Sequence, residues 1–178
     1  MTQKKLNLTQ LKQHLKKSSK EELVKDISEL FKRFDAVKDF YTLKLVPQDE
    51  AEVVAKYKGI IEGEFFPSRG FGRARLSIAK KAISDCKKVG VSPAILIDVM
   101  VFYVEQGVKF TNEYGDINDP FYTSMENVYG KALEQIEQHG LHGIFEARCR
   151  KIVEDTATIG WGFHDGLSDL YSRAFKRP

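Results

Sequence analysis

Residues 66–75, Phe66-Pro67-Ser68-Arg69-Gly70-Phe71-Gly72-Arg73-Ala74-Arg75, put three arginines and two glycines just ahead of a helical stretch. Such a loop can offer backbone N–H groups and guanidinium forks to a phosphate. The candidate anion or nucleic-acid contacts are therefore Arg69, Gly70, Gly72, Arg73 and Arg75, with Phe71 available to stack on a base. Lys80, Lys81, Lys87 and Lys88 carry the positive charge onward. Arg69-Gly70-Phe71-Gly72 matches the first half of the RNA-binding RNP1 pattern, but Arg73 stands where an aromatic is required and the context is helical. The loop also lacks the Gly-Lys-Ser/Thr ending of a P-loop and the preceding strand of a dinucleotide fingerprint. The plain alternative is a surface loop with solvated arginines.

A second constellation is Gly160-Trp161-Gly162-Phe163-His164-Asp165-Gly166, running on to Ser168 and Asp169. On a helix His164 and Asp165 point in different directions, so adjacency does not make them a dyad. His164 and Ser168, four apart, have the spacing of a base and a nucleophile. Asp165, Asp169 and Arg173 form either a pair of carboxylates for acid–base or metal chemistry or a simple exposed ridge. An enzymatic site here would need Tyr114, Glu126, Trp161, His164 and Asp165 to share a cleft. The plain alternative is close helix packing beside the indole.

Other polar clusters promise less. Residues 112–120 (Asn-Glu-Tyr-Gly-Asp-Ile-Asn-Asp-Pro) are rich in oxygen donors, but a calcium loop counted from Asp116 would place Pro120 and Phe121 where a ligand and a glycine belong. A turn with Asp119 as helix N-cap explains them. His139 and His142 flank Gly140 without evident further ligands, and His14 lies on a polar helix face. Cys86 and Cys149 form no CxxC pair, so neither a structural zinc site nor a disulfide framework is expected. No cofactor fingerprint is present.

The elements that must position these residues are helices. Asn7 with Gln10 and Ser19 with Glu22 have capping-box spacing. Leu8, Leu11 and Leu15 mark a first helix; Leu23, Ile27, Leu30, Phe31 and Phe34 a second; Val37, Phe40 and Tyr41 a third, stopping before Pro47. A fourth opens at Asp49 with Val53, Tyr57, Ile60 and Ile61. Leu76, Ala79, Ile83 and Cys86 stripe the fifth, with Gly90 at its end. Ser92-Pro93 starts a sixth that is apolar nearly all round and so belongs at the centre. Phe121 to Ile136 form the seventh after Asp119-Pro120. Leu141, Ile144, Phe145, Arg148, Cys149, Ile152 and Val153 share a face of the eighth, and Phe163, Leu167, Leu170, Tyr171 and Ala174 stripe the ninth. No alternation supports a sheet. The expected fold is all-α: eight or nine antiparallel helices in a compact bundle or a short curved array of helix pairs.

The 178 residues suit one domain, 1–178, with 1–46 as an N-terminal helical subdomain broken off at Pro47. Residues 1–90 hold 20 Lys+Arg against 12 Asp+Glu, net +8; residues 91–178 hold 8 against 13, net −5. A basic half can meet an anionic partner. Met1-Thr2-Gln3-Lys4-Lys5 is basic but leads into no long apolar stretch, so it is not a secretory signal. The apolar run Val99 to Val104 falls well short of the roughly 20 residues of a membrane span. The expectation is a cytoplasmic protein without membrane contact.

Three stretches carry a family resemblance: Leu11 to Leu45, Tyr103 to Tyr129 (YVEQGVKFTNEYGDINDPFYTSMENVY) and Ile152 to Tyr171 (IVEDTATIGWGFHDGLSDLY). Together they resemble the bacterial domain-of-unknown-function family 6155, the two later stretches most specifically. The resemblance implies a small, all-helical, cytoplasmic bacterial protein with no assigned activity, and brings no catalytic residues with it. The leading functional expectation is a non-enzymatic module that binds a protein partner, with Tyr103, Tyr114, Phe121 and Tyr122 lining a groove. The alternatives are nucleic-acid or phosphate binding through residues 66–75 and an enzyme centred on residues 160–166.

Overall fold

The computed structural model describes residues 6–46 and 50–175. Met1 to Lys5, the break expected at Pro47 and the helix start expected at Asp49 lie outside the described residues. Within them the chain forms nine α-helices and no strand: α1 (Leu8–Leu15), α2 (Lys20–Arg33), α3 (Asp35–Leu45), α4 (Glu50–Phe65), α5 (Leu76–Lys88), α6 (Pro93–Tyr114), α7 (Asp119–His139), α8 (His142–Glu154) and α9 (Phe163–Phe175).

Local chemistry sets most of the boundaries. Both capping boxes close. The Gln10 N–H donates to Asn7 Oδ1 at 2.9 Å and the Asn7 N–H to Gln10 Oε1 at 3.1 Å. The Ser19 and Glu22 pair does the same at 2.8 and 3.1 Å. Each satisfies N–H groups that a helix start leaves without partners. Ser92 caps α6, with Pro93 at the first helical position where its missing donor is harmless. The α7 start corrects the expected one by a residue. Asn118, not Asp119, is the N-cap, because its extended backbone lets Oδ1 accept from the Phe121 N–H at 3.0 Å. Asp119 instead sits in the first turn, where the helix dipole favours a carboxylate.

The core is built by α4 to α9. Helix α6 lies in the middle, packed against α4, α5, α7 and α8, and α9 closes over α7 and α8. Ile97, Val99, Val101, Tyr103 and Val104 of α6 are wholly buried, as its all-round apolarity requires. Each such side chain contributes about 2 kcal/mol by leaving water. The Phe65 ring meets Tyr103, Phe110 and Phe121 at 5.8, 5.7 and 6.4 Å. Across α6 and α8, Arg148 donates to both oxygens of Glu105 at 2.8 Å and to Asp98 at 2.6 Å, while Lys58 of α4 holds the other Asp98 oxygen at 2.7 Å. Burial tends to raise the Asp98 pKa, but those two cations outweigh it and hold the carboxyl below its usual range.

The first three helices stand apart from this core. Helices α1 and α2 bury no residue, and α3 buries only Asp39. Asp39 is the pin that joins α3 to α4, accepting from the Tyr57 hydroxyl at 2.7 Å and from Lys56 Nζ at 2.9 Å. Helix α2 packs on α3. Of its expected stripe Leu23 is half-buried, but Ile27, Leu30, Phe31 and Phe34 remain exposed, as does Val24 beside them. Other residues of the expected stripes also face out: Leu8 and Leu11 of α1, Phe40 of α3, Ile60 of α4 and Ile144 of α8, the last 64% exposed.

Candidate functional site

The α2–α3 hairpin leaves a run of apolar side chains uncovered: Val24, Ile27, Leu30, Phe31, Phe34, Phe40 and Leu45 are all exposed. The Ser19 cap and the spacing of Val24, Ile27 and Phe31 give α2 one apolar face. The first turn of α2 holds Glu21 and Glu22 and its last turn Lys32 and Arg33, both in accord with the helix dipole. Between the two helices runs a groove of about 440 Å³ lined by Ile27, Ser28, Phe31, Lys32, Tyr41 and Leu45. The Phe31 and Tyr41 rings meet edge-on across it at 6.4 Å, and Phe40 lies 5.3 Å from Tyr41. A groove with an apolar floor between two amphipathic helices is the shape that takes a third helix.

The second half of the 66–75 loop is tied back to the end of α4. Arg75 donates through Nε and Nη2 to the two oxygens of Glu64, each at 2.8 Å. Glu64 is buried, and this fork neutralises it. The Ala74 N–H donates to the Glu64 carbonyl at 2.8 Å. A Cβ at Gly72 would lie 1.8 Å from the Phe65 carbonyl oxygen, so only glycine fits there. Gly70 (φ +77°) and Ala74 (φ +43°) both lie in the left-handed region. Of the five residues expected to contact an anion, Arg75 and Gly72 are thus committed to holding the loop. Arg69 and Arg73 remain exposed, and among the described residues neither has an ion-pair partner. At the tip Phe71 is 83% exposed.

Tyr114, at the end of α6, stands beside this loop. Its ring lies 6.4 Å from Phe71, 6.3 Å from Phe66 in stacked geometry and 4.8 Å from Phe110. Lys109 Nζ sits 4.4 Å over Phe66. The expected aromatic groove is otherwise corrected: Tyr103, Phe121 and Tyr122 are buried in the core, and only Tyr114 reaches the surface. Phe66 and Lys109 were not singled out by spacing. Lys109 lies five residues before Tyr114 on one helix, and no local signal says that the 66–75 loop folds back onto that helix end.

The third segment is braced by polar contacts. Asn112 Nδ2 donates to the Asp155 carbonyl at 2.8 Å, joining the end of α6 to the turn before α9. Phe163 packs at 4.7 Å from Tyr122. The two family-like stretches at 103–129 and 152–171 therefore meet in space. Thr156 is fully buried and gives its hydroxyl proton to the Val153 carbonyl at 2.7 Å. Thr156 Oγ1 also shares a hydrogen bond with His164 Nδ1 at 3.0 Å. Ser168 instead lines a groove with Arg150, Val153 and Tyr171, away from that bond. Asp165 and Asp169 are exposed, and Trp161 is 72% exposed with φ at +63°. Glu126 lies against Gly166, where an added Cβ would come within 3.0 Å of its Oε1. Burial, and secondarily the Asp119 carboxylate, raises the Glu126 pKa.

The residues 112–120 make a turn rather than an ion cage. The Tyr122 hydroxyl donates to Asp116 Oδ1 and shares a hydrogen bond with Thr111, both at 2.9 Å. Gly115 supplies the left-handed step at φ +85°. His142 packs edge-on against Phe175 at 5.5 Å, and His139 is exposed. Among the described residues, no group of three or more His, Cys, Asp or Glu side chains is placed to hold a metal ion.

The model of a family of unknown function, DUF6155, matches residues 6–174 of the 178-residue chain. The chain belongs to DUF6155. Neither the curated proteins nor the solved structures hold a significant match to it. The matched span of this DUF6155 chain takes in all nine helices almost to the end of α9, the exposed hairpin included. Among its described residues no helix is long and apolar enough to cross a membrane.

Proposed function

We propose that this DUF6155 protein is a non-enzymatic interaction module whose α2–α3 hairpin binds an amphipathic helix of a protein partner. The observation that carries the reading is the uncovered face of α2: a strongly amphipathic 14-residue helix that buries nothing. Isolated helices of that length are marginal in water and gain their stability from packing. Covering Ile27, Leu30, Phe31, Phe34 and Leu45 would recover roughly 1 kcal/mol for each half-exposed side chain. Residues 20–45 hold six Lys+Arg and six Asp+Glu, so the hairpin is electrically balanced. Apolar fit therefore dominates recognition. The setting we assign is the bacterial cytoplasm. In support, Cys86 and Cys149 are free and buried, their thiols pushed up to about 11 and about 12 chiefly by burial, so they are unreactive and draw nothing from an oxidising compartment.

The test is affinity capture from cells of the native host with the wild-type chain and with an Ile27→Glu/Phe31→Glu variant. Two charges in the groove should abolish capture of the partner. Equal capture by both proteins would refute the hairpin as the docking surface.

A further inference from the structure

We infer that the tip of the 66–75 loop and the end of α6 form a second binding site, separate from the hairpin, for single-stranded nucleic acid. Two kinds of group converge there. Phe71, Tyr114 and Phe66 make a contiguous aromatic patch, with Phe71 and Tyr114 open to solvent. Arg69 and Arg73 flank Phe71 in the chain and are unpaired among the described residues, and Lys109 lies over Phe66. Exposed rings offer faces to unstacked bases, and the cations meet the phosphates between them. Against these three cations stands Glu113, next to Tyr114 in the chain, whose carboxylate adds to burial in raising the Tyr114 pKa. The local balance still favours an anion.

The loop is also built to present this tip. Water alone gives no reason to hold a phenylalanine 83% exposed on a segment with a non-glycine residue at positive φ. A backbone strained in that way persists because its surroundings enforce it. Here the enforcement comes from the Arg75–Glu64 fork and from Gly72 lying against the Phe65 carbonyl. Such preorganisation lowers the ordering cost of binding. A duplex keeps its bases stacked inside and offers Phe71 nothing to stack on, so the single strand is the form selected.

The experiment is fluorescence anisotropy of the full chain with a labelled single-stranded RNA of about 12 nucleotides, the same sequence as DNA, and the matching duplex. Single strands should bind better than the duplex. Three phosphate contacts predict a logarithmic salt slope of about −2. Phe71→Ala should weaken binding roughly tenfold and leave the melting temperature unchanged, because the ring packs so little. Arg69→Ala/Arg73→Ala should flatten the salt slope. Absence of binding at low salt, equal affinity for duplex and single strand, or binding unmoved by both variants would each overturn the assignment. Because the hairpin lies on other helices, Ile27→Glu/Phe31→Glu should leave this binding intact; its loss in that variant would also overturn the assignment.

Discussion

Glu126 and Trp161 look alike in sequence, as members of a candidate cleft, but they carry different physical histories. Glu126 is a half-buried carboxylate pressed against Gly166, with burial and Asp119 both raising its pKa. A carboxyl whose folded pKa lies above its unfolded value destabilises the fold once it ionises, and that penalty fades as falling pH protonates it. Glu126→Gln should therefore raise the melting temperature at neutral pH, with the gain vanishing in acid. A lowered melting temperature at neutral pH would mean the carboxylate is held by a favourable contact. Trp161 sits at φ +63° with its indole largely in water. The left-handed backbone costs a non-glycine residue about 1–2 kcal/mol. Trp161→Gly should then change stability by less than about 0.5 kcal/mol or raise it, since glycine loses chain entropy while removing that strain. A loss near the 3–5 kcal/mol typical of truncating a packed tryptophan would show that the indole is docked. His164 shows why spacing alone misleads. Its four-residue distance from Ser168 fits a base and nucleophile, yet its Nδ1 is engaged by Thr156 and Ser168 lines a different groove.

Helix boundaries were the most legible layer of the sequence, because caps act across three or four residues. Asn7, Ser19 and Ser92 each announce a helix and each forms its cap. The centrality of α6 was legible for a similar reason: a helix without a polar face has nowhere else to go. What could not be read were pairings between distant segments. The Arg75 fork on Glu64 turns an apparent phosphate ligand into a structural one, and nothing near either residue signals it. Tyr114 likewise meets Phe71 only because the loop after α4 folds back over the end of α6. The same loop yields a sharp test of its rigidity. Gly72→Ala forces a Cβ onto the Phe65 backbone, where no side chain can swing aside. It should cost at least about 2 kcal/mol and lower the melting temperature by roughly 5 °C. A silent substitution would show that the loop is free to move, and would weaken the case for a preorganised tip.

At the scale of the whole molecule the chain divides its labour between a packed core and an arm that has no core of its own. Helices α4 to α9 bury aromatic and aliphatic residues from Val53 to Tyr171, while α1 and α2 bury none. The stripe on α2 was visible in the sequence, but the absence of a cover for it was not, since cover depends on every other element. An apolar face left open by the rest of the chain is the central reason for assigning an interaction role. The most direct measurement is the comparative capture of partners by the wild-type chain and by Ile27→Glu/Phe31→Glu, with sedimentation of both purified proteins alongside. The account predicts a specific partner protein bound by the wild type and lost from a variant whose melting temperature is unchanged. An identical set of partners and an identical oligomeric state for the two proteins would contradict it.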